Sequence, residues 1–137
     1  MCVVVQTMVE PDVSGTAFST EIATSYPAVH IAALYGLGEG LVSGEITSDE
    51  WLLNRDNYDV IRQVCGSKKE YYRSRKSRSG IELKKTSLKK QRQLCLDTET
   101  VREIADQIKR IQSVYKILFR YEDVDTEIAI AKGKPYF

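Results

Sequence analysis

Apolar positions along this chain fall first into short alternating runs and later into one helical stripe. Cys2 to Val9 is β-branched and mostly apolar, which predicts a buried strand. Pro11, Asp12, Ser14 and Gly15 supply turn chemistry. Thr16 to Thr20 then begins a second strand, expected to pair with the first as a hairpin. Ser25-Tyr26-Pro27 marks a loop, and Val29 to Tyr35 reads as a third strand. Trp51 to Leu53 and Val60 to Val64 read as shorter strands around a turn at Asn54 to Asp59, and Tyr71-Tyr72 continues the meander. Arg73 to Arg92 has no clean period and predicts an exposed basic loop or insertion.

Beyond it, Asp97 stands where a helix N-cap belongs, with Glu99 in the first turn. Val101, Ile104, Ala105, Ile108, Ile111, Tyr115 and Leu118 recur at spacings of three and four. That spacing predicts an amphipathic helix of about five turns. A last strand runs from about Val124 to Ala131, and Gly133-Lys134 turns the chain back. Strands, one long helix, then strands predict an α+β fold, with a mostly antiparallel sheet covered on one face.

Composition adds little to this, and charge distribution adds more. The chain has 137 residues, 42% hydrophobic and 28% charged, with a net charge of +1. That is ordinary for one globular domain and excludes neither an acidic nor a basic partner. Within it, residues 1–61 carry one basic and nine acidic side chains, and residues 62–92 carry twelve basic and two acidic. Cys2, Cys65 and Cys95 form no CxxC pair and no metal spacing, so reduced thiols in a cytoplasmic protein are expected. No apolar run reaches the roughly 18 residues needed to span a membrane. Met1 leads straight into the first predicted strand and Phe137 falls in mid-strand, so the chain is read as a partial domain.

Three places suggest chemistry. Gly36, Gly38, Gly40 and Gly44 fall within nine residues after an apolar run, the kind of turn that can present backbone N–H groups to a phosphate. The spacing is neither the dinucleotide fingerprint nor a P-loop. Glu39, among these glycines, could take an adenine amino group, a ribose hydroxyl or a metal-bound water, or could simply be solvated. Asp125 and Glu127 alternate on one strand, so their carboxylates share a face about 7 Å apart and suit Mg²⁺ held against phosphates. Lys68-Lys69 and the basic residues after them, with Tyr71 and Tyr72 interleaved, could face a triphosphate or a single-stranded nucleic acid. A solvated basic loop is the preferred reading. His30, the single histidine, is read as structural, and Asp49 and Glu50 as surface or helix-start acids.

Several blocks resemble the nucleotide-binding domain of phosphoenolpyruvate synthase (pyruvate, water dikinase). They are Val3-Val4-Val5-Gln6-Thr7-Met8-Val9, Ser14 to Ser19, Gly36-Leu37-Gly38-Glu39 through Asp49-Glu50, and Cys65-Gly66-Ser67-Lys68-Lys69. Asp125-Thr126-Glu127-Ile128 stands where the family has Asp-Ile-Glu-Trp. Rifampin phosphotransferase shares these stretches as far as Asp49-Glu50, and Gly66-Ser67-Lys68-Lys69 is more similar to the synthase. The resemblance implies the second half of an ATP-grasp-like domain, the first half lying upstream. It implies ATP and Mg²⁺ as cofactors, an adenine slot at Gln6, Met8 and Val9, and a nucleotide cleft lined by Gly36, Gly38 and Glu39. Asp125 and Glu127 would be the metal ligands. Pyruvate and a phosphohistidine domain would be partners in the full-length protein. No catalytic residue falls in this chain, which should not turn over alone. The alternatives are a rifampin phosphotransferase-type kinase and a nucleic-acid-binding module using the basic stretch.

Overall fold

A computed structural model describes residues 3, 5, 7–21, 23–24, 26–75 and 79–137. Its centre is a six-stranded sheet of β1 (Val13–Phe18), β2 (Ala28–Tyr35), β3 (Asp49–Asn54), β4 (Val60–Val64), β7 (Asp125–Ala131) and β8 (Lys134–Tyr136). The strand order is β4-β3-β2-β1-β7-β8, and every neighbouring pair is antiparallel. Between β2 and β3 lies the one-turn helix α1 (Glu39–Val42). A separate hairpin, β5 (Glu70–Ser74) with β6 (Ile81–Lys85), precedes the short α2 (Leu88–Gln91) and the long α3 (Thr98–Phe119). The expected α+β class and antiparallel sheet are therefore present. No helix among the described residues is long and apolar enough to cross a membrane.

Two periodicities meet in the core. Every second residue of the central strands (Val13 and Ala17; Val29, Ile31 and Ala33; Trp51 and Leu53; Ile128 and Ile130) points to one face. Val101, Ile104, Ala105 and Ile108 of α3 are buried against that face. Each fully buried Val, Ile or Leu among them contributes roughly 1.5–3 kcal/mol. The helix is longer than the sheet it crosses, at about 33 Å for its 22 residues. Tyr115 and Leu118, counted on its core stripe from spacing, therefore run past the sheet and are exposed.

The N-cap expectation holds. Asp97 Oδ1 accepts the Thr100 N–H at 2.8 Å, and this bond holds the carboxyl below its ordinary range. Its folded-state pKa lies below the unfolded one, so its contribution is present above the ordinary carboxylate range and is lost as pH falls through the folded value. Asp97→Ala should cost about 1 kcal/mol, read as a lower urea midpoint at neutral pH, with the difference from wild type shrinking in acid.

Three expectations are overturned. The predicted strand from Cys2 to Val9 is absent among its described residues; Val3, Val5 and Met8 are 76%, 92% and 70% exposed and belong to no strand. Both edges of β1 are already taken, by β2 and β7, so no ladder is free for a hairpin partner there. Ser14 and Gly15 are strand residues rather than turn residues. Gly15 is required by packing, because a Cβ would sit 2.2 Å from the Ala32 carbonyl oxygen.

Tyr71 and Tyr72 do not continue the meander but start the separate hairpin, and the stretch from Arg73 to Arg92 contains β6 and α2. Tyr71 pairs with Lys84, and Arg73 pairs with Glu82, the last two also as an ion pair at 3.5 Å. A two-stranded hairpin with little burial on either face has no need of hydrophobic alternation, which is why its sequence looked aperiodic.

Candidate nucleotide site

The sheet face opposite α3 carries the other half of each strand alternation. Ser14, Thr16 and Phe18 of β1 stand there, in register with Leu34, Ala32 and His30 of β2 and with Ala129, Glu127 and Asp125 of β7. Glu50 and Leu52 of β3 extend two of these rows. Asp125 and Glu127 are both exposed, and neither forms an ion pair among the described residues. The predicted sharing of a face is thus met. No group of three or more His, Cys, Asp or Glu converges to hold a metal among the described residues. Two carboxylates fit a Mg²⁺ ion that completes its shell with water and phosphate oxygens, and do not fit an all-protein cage.

The entry of the chain into β7 is fixed from β1. The buried Ser19 hydroxyl accepts the Val124 N–H at 2.9 Å, and the Ser19 N–H donates to the Val124 carbonyl at 2.9 Å. Thr20 and Arg55 gather on Asp123 and on the Ser19 carbonyl. The Ser14–Ser19 block therefore sets where Asp125 begins its strand.

The glycine turn lies at the other end of the sheet. Asp125 registers through Phe18 with His30, and the turn follows Tyr35, five residues further along β2 and roughly 17 Å away. Gly36 has φ +71°, and a Cβ there would lie 2.1 Å from the Tyr72 carbonyl oxygen. This glycine is accounted for by the docking of β5, where the Leu37 N–H donates to the Tyr72 carbonyl at 2.8 Å. Gly38 is the N-cap of α1, where a Cβ would make ordinary van der Waals contact with Ser14 at 3.7 Å, while Glu39, in the first turn, is exposed. Val9 is half-buried and Met8 exposed; Gln6 lies outside the described residues. Met8 and Val9 lie four to five residues ahead of β1, whose first residue, Val13, registers with Tyr35 at the glycine end of the sheet. The site candidates thus form two groups at the two ends, not one cluster.

His30 stacks on Phe18 with ring centroids 6.2 Å apart, and its Nε2 is 3.8 Å from Glu50 Oε2. Both ring nitrogens are buried and have no hydrogen-bond partner among the described residues.

Two sequence readings need correction. Asp49 is not a surface acid, and Lys68 is not part of a solvated loop: both are 0% exposed and form an ion pair. Asp49 Oδ1 also accepts the Gly66 N–H at 2.8 Å, and its Oδ2 accepts the Cys95 N–H at 2.7 Å. Lys68 Nζ donates to the Gly66 carbonyl at 2.8 Å. Burial and then the Asp49 carboxylate push the Cys95 thiol far up from its ordinary range. Burial first, then charge on Cys95, Asp49 and Cys65, raises Tyr35 to about 12. Asp49 shares a strand face with Trp51 and Leu53, and that alternation was the available signal for its burial.

Known proteins match this chain over its whole length. The profile of the pyruvate phosphate dikinase AMP/ATP-binding domain matches residues 1–137. The chain is 32% identical over 142 residues to an uncharacterized phosphotransferase of Bacillus subtilis, covering 99% of this chain and 16% of that protein. It is 33% identical over 138 residues to a rifampicin phosphotransferase of Bacillus cereus, covering 98% of this chain and 16% of that one. A probable phosphoenolpyruvate synthase of Methanocaldococcus jannaschii is 26% identical over 138 residues, 99% of this chain and 11% of that protein. The chain spans less than a fifth of the length of these relatives. On the match across all its residues, the chain belongs to the pyruvate phosphate dikinase AMP/ATP-binding domain family.

Proposed function

We propose that this chain supplies one wall of an ATP site in a phosphoenolpyruvate synthase-type phosphotransferase, as the second half of an ATP-grasp-like domain. The observation that carries the reading is the pair Asp125 and Glu127, both exposed on the sheet face opposite α3 in a chain of an AMP/ATP-binding family. Gln6, Met8 and Val9 would border the adenine, with Gly36, Gly38 and Glu39 at the same end of the sheet. That end and Asp125 are separated by roughly 17 Å along the strands and by two strand spacings, about 10 Å, across the sheet, a span that the nucleotide, its metal and the side chains holding them would have to bridge. When bound, Mg²⁺ would neutralise phosphate charge. Asp125 and Glu127 would hold that ion in place, and Thr16, beside Glu127 on β1, would border the phosphates. The contribution of the chain is positioning and charge balance, with no nucleophile or general base of its own. The phosphate acceptor and the phosphohistidine carrier would lie elsewhere in the full-length protein, and residues 1–137 alone should form no AMP.

A rifampicin-directed kinase is the second reading, favoured by 33% identity to the Bacillus cereus enzyme. The test is AMP formation by the full-length protein from ATP, with pyruvate or with rifampicin as acceptor. AMP and phosphoenolpyruvate formed only with pyruvate support the first reading. AMP formed only with rifampicin replaces it with the second, and AMP with neither overturns both. AMP made by purified residues 1–137 above a no-protein control overturns the assignment of a partial site.

A further inference from the structure

The Asp49–Lys68 pair has a third neighbour that the nucleotide site does not use. Cys65 is exposed, and its Sγ lies 3.5 Å from Lys68 Nζ. The loop is built so that these two atoms stay close. Lys68 sits at φ +37°, in the left-handed region that costs a side chain free energy, and this turns its ammonium inward. Gly66 between them is pressed against β3's entry, where a Cβ would lie 2.1 Å from the Ser48 carbonyl oxygen. Lys68 Nζ is also held by Asp49 and by the Gly66 carbonyl, so it has no freedom to swing away. The result is a buried amine, a proton acceptor touching it, and a solvent-reachable sulfur at van der Waals distance.

We propose that Cys65 and Lys68 form a peroxide-driven cross-linking site, in which a Cys65 sulfenic acid condenses with Lys68 to a sulfenamide. In the first step the Cys65 sulfur attacks one oxygen of hydrogen peroxide. An S–O bond forms, the O–O bond breaks and water leaves; sulfur is oxidised by two electrons and peroxide is reduced. In the second step Lys68 passes a proton to the Asp49 carboxylate, and its freed lone pair attacks the sulfur. The S–N bond forms and the S–O bond breaks. The departing hydroxide takes a second proton from nitrogen and leaves as water. Thiol, ammonium and one peroxide become a sulfenamide, two waters and one proton. Sulfenic acids are known to close onto a nearby backbone nitrogen in the same way.

Among the described residues Cys95 is the other sulfur near the pair, but it does not compete. It is the more buried of the two cysteines and faces the Asp49 carboxylate, which disfavours its thiolate. The cross-link would also act on the fold. It removes the Lys68 cation from beside Asp49, the acid that holds Gly66 and Cys95 together. Oxidation would thereby loosen the join between β3, the loop after β4 and the segment leading into α3.

The test treats the full-length protein with a small molar excess of hydrogen peroxide, alkylates remaining thiols with iodoacetamide and digests with trypsin. The expected product is a peptide from Gln63 to Lys69, uncut after Lys68, unalkylated at Cys65 and lighter by two hydrogens than its reduced form. Dithiothreitol should restore both alkylation and cleavage. Cys95 should remain alkylated, and a Cys95→Ser variant should give the same peptide. Peroxide should lower the melting temperature of the wild type and leave that of Cys65→Ser unchanged. A disulfide from Cys65 to another cysteine would overturn the proposal. So would a sulfinic or sulfonic acid at Cys65 with Lys68 still cleaved, or full alkylation of Cys65 after treatment.

Discussion

Lys68→Met should remove roughly 3–5 kcal/mol of folding stability, the usual result of leaving one member of a buried ion pair behind. Asp49 would then be left at 0% exposure with only the Gly66 and Cys95 N–H groups to stabilise it among the described residues. The loss is large because Asp49 joins three separate parts of the chain: β3, the loop at Gly66 and the segment at Cys95. Asp49→Asn should also destabilise, since one oxygen must serve where two served before. The double variant Asp49→Asn with Lys68→Met removes the stranded charge, so it should be more stable than Lys68→Met alone. Urea unfolding of all four proteins closes the cycle. Additive losses, or a cost for Lys68→Met below about 1 kcal/mol, would show that the pair is not coupled in the way its geometry indicates.

That pair also marks where local reading of the sequence stopped. Periodicity alone placed α3, from its Asp97 cap through Ile108, because a single buried stripe repeats every three or four residues. β2, β3 and β4 were legible for the complementary reason, with turn residues at Asn54 to Asp59 separating apolar runs. Partners were not legible. An apolar run such as Cys2 to Val9 looks like a strand anywhere, but whether it becomes one depends on a free ladder. Here β7, more than a hundred residues downstream, occupies the edge of β1. The hairpin of β5 and β6 was missed because exposed strands carry no burial pattern to read.

The site divided in the same manner. The shared face of Asp125 and Glu127 follows from alternation and could be stated in advance. The glycine turn invited a phosphate reading, yet Gly36 is explained by the Tyr72 carbonyl pressed against it. Asp49 and Lys68, 19 residues apart, have no local signature that pairs them. Only the alternation of Asp49 with Trp51 and Leu53 hinted that this acid faces inward.

If the proposed function holds, Glu127→Gln in the full-length protein should lower ATP-dependent phosphorylation of the proposed carrier histidine by about 10²-fold or more, by analogy with the loss of one electrostatic stabiliser. Glu127 is itself exposed, beside Thr16 on the face opposite α3, so the amide should be accommodated without disturbing Ile128 and Ile130, which point the other way into the core. The substitution keeps the shape and removes one of the two charges proposed to hold Mg²⁺, which on that proposal would leave phosphate charge poorly neutralised as it develops. Asp125→Asn should act in the same direction. The reverse half-reaction, in which phosphoenolpyruvate phosphorylates the same histidine, would take place away from this sheet and should be nearly unchanged. Measuring both half-reactions separates the explanations. Loss of the ATP-dependent one alone supports the metal assignment. Equal loss of both would point to damage to the fold, which a shifted urea midpoint would show independently. Near-normal ATP-dependent phosphorylation in both variants would overturn the assignment and leave Asp125 and Glu127 as acids on the solvated face of a strand.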